Sequence, residues 1–155
     1  ASGARAVAMA KERLTPDKIM TVASFENALR VLLAVGGSTN AIVHLAAMAG
    51  RLGIKLDLDA FDKMGRETPV LVDLKPTGQG YMEDLYKAGG LAVILRELKH
   101  QLNLKALTVT GRTLGEDLAA APPALPSVGR SSTSAKRHPS AQLRSCRSIA
   151  SCKKH

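Results

Sequence analysis

Several things are scarce in this 155-residue chain, and each scarcity excludes something. There is no Trp, and aromatics make up only 3% of the residues. The basic segments therefore lack the stacking platforms that single-stranded nucleic acid binding uses. Cysteines number two, Cys146 and Cys152, too few for the disulfide framework of a small secreted domain. No apolar run approaches the roughly 18 residues of a bilayer-spanning helix. The first ten residues lack the charged, apolar and small-residue order of a secretory signal. A reducing, cytoplasmic setting with no membrane partner is the expectation. The chain starts at Ala1 in what already reads as helix, so a piece of something longer is also expected.

Acid is missing from one region altogether. Residues 1–121 carry 15 Lys and Arg against 13 Asp and Glu, whereas residues 122–155 carry 7 against none. That last segment also holds eight Ser, four of the seven Pro and both Cys. Too few of its residues are apolar to form a core, so it is expected to be a disordered basic tail. Such a tail can bind nucleic acid or anionic surfaces by counterion release, or have no role. Lacking aromatics and periodicity, it does not make nucleic acid the expected partner. Cys146 and Cys152 stand in a C-x5-C spacing that does not match the usual zinc ligand pattern.

Residues 1–121 hold the globular pattern. Ala4 to Arg13 reads as helix, and Thr15-Pro16-Asp17 supplies a cap, Pro at the first helical position and an acid in the first turn. Phe25, Ala28, Leu29, Leu32 and Leu33 share one face of a helix beginning near Thr21 and stopped by Gly36-Gly37. The next helix, from about Ser38 to Leu52, is apolar on most sides and is expected to be buried in a larger body. Gly53 is its C-cap, and Asp57 or Asp59 caps a short helix through Phe61 and Met64. Met82 to Ala88 and the spacing of Leu91, Ile94, Leu95 and Leu98 mark two more helices. Thr113 and Glu116 form a capping box. Residues 69–74 and 107–110 are apolar runs of strand length. Helices alternating with strands give an α/β class, with too few strands for a self-sufficient sheet.

Four segments stand out. They are Gly36-Gly37-Ser38-Thr39-Asn40 followed by His44; Asp73-Leu74-Lys75-Pro76-Thr77-Gly78; Met82-Glu83-Asp84-Leu85 with Ala88-Gly89-Gly90; and Leu107 to Glu116. In this order and spacing, together with Phe25-Glu26-Asn27-Ala28, they resemble the dihydroxy-acid dehydratase family, which includes the sugar-acid (aldonate and phosphogluconate) dehydratases. The resemblance covers residues 1–121 and marks them as the helix-rich C-terminal portion of that family's N-terminal α/β domain. It implies a hydro-lyase that converts a 2,3-dihydroxy acid to a 2-keto acid, with an iron–sulfur cluster and magnesium as cofactors. It also implies a cytosolic homo-oligomer. The family's cluster cysteines, and the acid and modified lysine that hold magnesium, precede the positions matched here. Its catalytic serine belongs to a later domain. On this reading the chain lacks those ligands and is inactive alone. Beyond about Pro123 it departs from the family, as a truncation or frame shift would produce.

Among the residues present, a helix starting at Ser38 offers free N–H groups and the positive end of its dipole to an anion. Gly37 permits close approach, and Ser38, Thr39 and Asn40 add donors for a substrate carboxylate. His44 lies one turn after Asn40 on the same face. The same pattern equally describes a helix–helix turn capped by Ser38, with His44 in the core. Asp73 and Lys75 read as a solvated turn or as the end of a strand where ligands gather. Glu83 and Asp84 are adjacent, and so cannot face each other as an acid–base pair. Met9, Met48 and Met64 read as packing.

Overall fold

A computed structural model describes residues 1–121, and the expectations for the tail at 122–155 lie outside the described residues. The architecture is helix-rich. The helices are α1 Ser2–Glu12, α2 Pro16–Ile19, α3 Val22–Ala34, α4 Thr39–Arg51, α5 Leu58–Glu67, α6 Met82–Lys87, α7 Leu91–Glu97 and α8 Leu114–Ala120.

The local signals place most of these boundaries. Thr21 Oγ1 accepts from the Ser24 amide at the start of α3. Asp57 Oδ1 accepts from the Asp59 amide at the start of α5, at 2.9 Å. At α8 the capping box is closed in both directions: Glu116 N–H donates to Thr113 Oγ1, and Thr113 N–H donates to the Glu116 carboxylate. Each arrangement satisfies amides that the first helical turn leaves without partners.

α3 is the central element, because opposite sides of it feed two apolar clusters. Leu29 and Leu33 pack with Ile42 of α4 and Phe61 and Met64 of α5. Ala34 packs with Ile94, Leu98 and Leu102 on the α7 side. Burying one such Leu or Ile side chain stabilises by about 1.5–3 kcal/mol, so these contacts, rather than helix propensity, hold the short helices in place. One polar clamp joins distant segments. Asn27 Nδ2 donates to the Asn103 carbonyl at 2.9 Å, and the Asn103 amide donates to Asn27 Oδ1 at 2.7 Å.

The two expected strands are corrected. Among the described residues, extended pairing is limited to isolated bridges, Leu74 with Gly80 and Leu107 with Thr113. Both partners lie within the same short loop, so the chain turns back before a ladder can build. The Leu71 amide instead donates to the Ala34 carbonyl at the end of α3, at 2.8 Å. Leu71 and Val72 pack against the α7-side cluster, so helices cover this apolar run where a neighbouring strand was expected.

Within the described residues α4 is covered on one side. Ile42 and Ala49 are buried, but Val43 is 58% and Met48 43% exposed. Its inner face meets the core and its outer face lies at the surface of the described residues. Met48 lies on the exposed side among the described residues, whereas Met64 is buried.

Candidate functional site

The candidate site begins where α3 ends. Val35 is the C-cap, and Gly36 follows at φ +62°, in the left-handed region that only Gly enters without strain. The Gly36 amide donates to the Leu33 carbonyl at 3.2 Å and the Gly37 amide to the Leu32 carbonyl at 2.9 Å. These two bonds form a Schellman motif, so the glycine pair has a local reason to exist. A Cβ on Gly37 would meet Leu32 Cδ1, so the Leu32 side chain would have to shift to admit one.

Ser38 then opens α4 in an extended conformation, and its Oγ accepts from the Asn40 amide at 3.3 Å. The Ala41 amide donates to the Ser38 carbonyl at 3.0 Å. The Thr39 amide has no acceptor among the described residues. Ser38 and Asn40 are exposed, and Thr39 is half-buried. The first turn of a thirteen-residue helix thus carries an N–H without an acceptor among the described residues, beside an exposed serine hydroxyl and an exposed carboxamide. This is the donor set that an anion requires.

His44 is exposed among the described residues. It stands one turn beyond Asn40 on the same side of α4. Gly37, Ser38, Thr39 and Asn40 follow one another through the turn and into the first turn of α4, with His44 one turn further on.

The second conspicuous segment is brought against the first. Thr77 Oγ1 donates to the Gly36 carbonyl at 3.0 Å, with the Leu74 carbonyl a longer acceptor at 3.4 Å. A Cβ on Gly36 would collide with this same hydroxyl. The loop around Thr77 is held from within: the Gly80 amide donates to the Asp73 carbonyl at 2.8 Å, the Lys75 amide to the Gly80 carbonyl at 2.9 Å, and the Gln79 amide to Asp73 Oδ1 at 3.2 Å. Asp73 is thus a loop-closing acceptor. Lys75 Nζ donates to the Tyr81 hydroxyl at 2.5 Å and stands 4.0 Å from the centre of its ring. Thr77 is the residue that sequence reasoning passed over. Its signal was its place between Pro76 and Gly78 in a conspicuous segment.

The other two segments are structural. Asp84 caps the start of α6 by accepting from the Tyr81 amide at 2.8 Å, whereas Glu83 pairs with Lys87 at 2.7 Å. The two adjacent carboxylates have separate partners, as their spacing requires. Just past the fourth segment Asp117 accepts from the hydroxyls of Thr108 and Thr110 and pairs with Arg112 at 2.8 Å. Burial pushes the Asp117 carboxyl up, but these hydrogen bonds and the arginine outweigh it and hold it below its usual value. Glu116 is also held down, by the Thr113 amide and hydroxyl. Arg5 of α1 reaches this region, donating from Nε to the Val109 carbonyl at 2.6 Å while pairing with Glu12 at 2.8 Å.

The iron–sulfur cluster and magnesium implied by the resemblance do not fit the described residues. No cysteine lies in residues 1–121. No group of three or more His, Cys, Asp or Glu side chains among the described residues is placed to hold a metal ion. No described helix is long and apolar enough to cross a membrane.

Comparison with known proteins adds an independent line. The sequence model of the dihydroxy-acid/6-phosphogluconate dehydratase N-terminal family matches residues 1–117. A dihydroxy-acid dehydratase of Methanosarcina barkeri is 50% identical over 117 residues, which is 76% of this chain and 21% of that protein. An L-arabonate dehydratase of Azospirillum brasilense is 49% identical over 124 residues, covering 78% of this chain and 21% of that protein. An L-arabinonate dehydratase of Rhizobium leguminosarum bv. trifolii is 48% identical over 119 residues, covering 76% and 21%. The chain spans about a fifth of the length of these relatives.

Proposed function

The chain belongs to the dihydroxy-acid/6-phosphogluconate dehydratase family through that family's N-terminal part, and on this premise we propose that it serves a hydro-lyase acting on a 2,3-dihydroxy carboxylic acid. The substrate class is a branched-chain dihydroxy acid or a sugar acid. Dehydration removes the C2 proton and the C3 hydroxyl, and the resulting enol becomes the 2-keto acid. The enzyme is cytoplasmic and works as a homo-oligomer, and its whole N-terminal domain is α/β.

The part played by this chain is to bind and orient. The first turn of α4 receives the substrate carboxylate, through the Thr39 amide and the side chains of Ser38 and Asn40, with Gly37 allowing close approach. His44 stands one turn along, on the same side of α4 as Asn40. The observation that carries this reading is the Thr39 amide, which has no acceptor among the described residues and lies between two exposed polar side chains at a helix N-terminus. Such a terminus favours an anion by about 0.3–1 kcal/mol, and up to ~2 kcal/mol when partly buried. A hydrogen bond to a charged group adds about 1.5–3 kcal/mol.

An iron–sulfur cluster, were it held elsewhere in such an enzyme, would supply Lewis acidity toward the leaving hydroxyl. We place its ligands, and those of magnesium, outside this chain, because residues 1–121 hold no Cys and Cys146 and Cys152 match no segment of the family resemblance. Accordingly the 155-residue chain alone does not turn over substrate.

The test is an exchange. Residues 1–117 replace the matched segment of a curated dihydroxy-acid dehydratase, and 2-keto acid formation is measured. The expected result is retained dehydration, with Ser38→Ala and Asn40→Ala each raising KM about tenfold, the equivalent of ~1.4 kcal/mol. Unchanged KM and kcat in both variants of an active exchange enzyme reject the carboxylate site. An exchange enzyme that folds but forms no keto acid rejects the broader functional reading.

A further inference from the structure

We draw no further inference here: the strongest candidate, the uncharged outer face of α4 around Val43, Ala46, Ala47 and Met48, carries nothing because nothing in the structure shows what covers it.

Discussion

Thr77 donates its hydroxyl to the carbonyl of Gly36 at 3.0 Å, across 41 residues of sequence. The bond ties the loop at residues 73–80 to the turn that launches α4. Two segments that are separate in the chain thereby become one structural unit beneath the candidate anion site.

Thr77→Val removes the donor and leaves a partly buried carbonyl without a partner. A stranded group of this kind costs about 1–3 kcal/mol. Urea unfolding of the 155-residue chain is expected to show that loss, with Thr77→Ser recovering most of it. Gly36→Ala is expected to be at least as damaging, because it combines a positive φ with a collision against Thr77. Equal stability of the Val and Ser variants contradicts the proposed link.

Asn27 makes a comparable link to the Asn103 backbone, accepting from one group and donating to the other. Asn27→Ala is expected to destabilise by roughly 1–3 kcal/mol for each backbone group it strands. Amide exchange at Asn103 is the direct readout. Protection that survives the substitution means that another partner holds that amide.

Acid is expected to loosen the α8 end. Glu116 and Asp117 both have carboxyls held below their usual values in the folded chain. Their contribution is fully present above the unfolded-state pKa values, near 4.3 for Glu and 3.9 for Asp. It is lost as pH falls through the lower folded values. Glu116→Gln and Asp117→Asn should therefore flatten the fall in stability below about pH 4.5. Carboxyl titration followed by NMR checks the direction site by site, and a folded Glu116 pKa at or above the unfolded one contradicts it.

The isolated chain is expected to form no 2-keto acid after incubation with iron, sulfide and magnesium. Residues 1–121 contain no thiolate to hold a cluster. A keto-acid assay with branched-chain dihydroxy acids and aldonates makes the comparison. Turnover by the 155-residue chain contradicts the placement of the metal ligands elsewhere.

How much of this was legible depended on the range of the interaction. The caps at Thr21, Ser38, Asp57 and Thr113 depend on residues two or three positions away, so short sequence patterns contain the whole signal. The apolar run at residues 69–74 was misread because extended apolar residues do not specify what covers them. Here the end of α3 and the α7-side cluster take the place of a neighbouring strand. Apolar content on all sides of α4 showed what that helix could bury, not what is present to bury it. The exposure of Val43 and His44 follows from tertiary arrangement alone. Thr77 escaped notice for the same reason, since its partner lies far off in the chain. Within the site, Ser38, Thr39 and Asn40 were visible because helix-start chemistry and anion-binding chemistry require the same groups. That overlap also prevents sequence from separating the two roles.

One substitution does separate them. Asp at position 38 can still cap α4 and suits the positive end of its dipole, so Ser38→Asp should preserve stability. It also places a negative charge where a substrate carboxylate is proposed to sit. The decisive measurement is the KM for a dihydroxy acid of the exchange enzyme bearing residues 1–117, with and without Ser38→Asp, alongside its unfolding midpoint. The account predicts a KM raised tenfold or more at an unchanged midpoint, whereas an unchanged KM would show that the first turn of α4 is only a helix start.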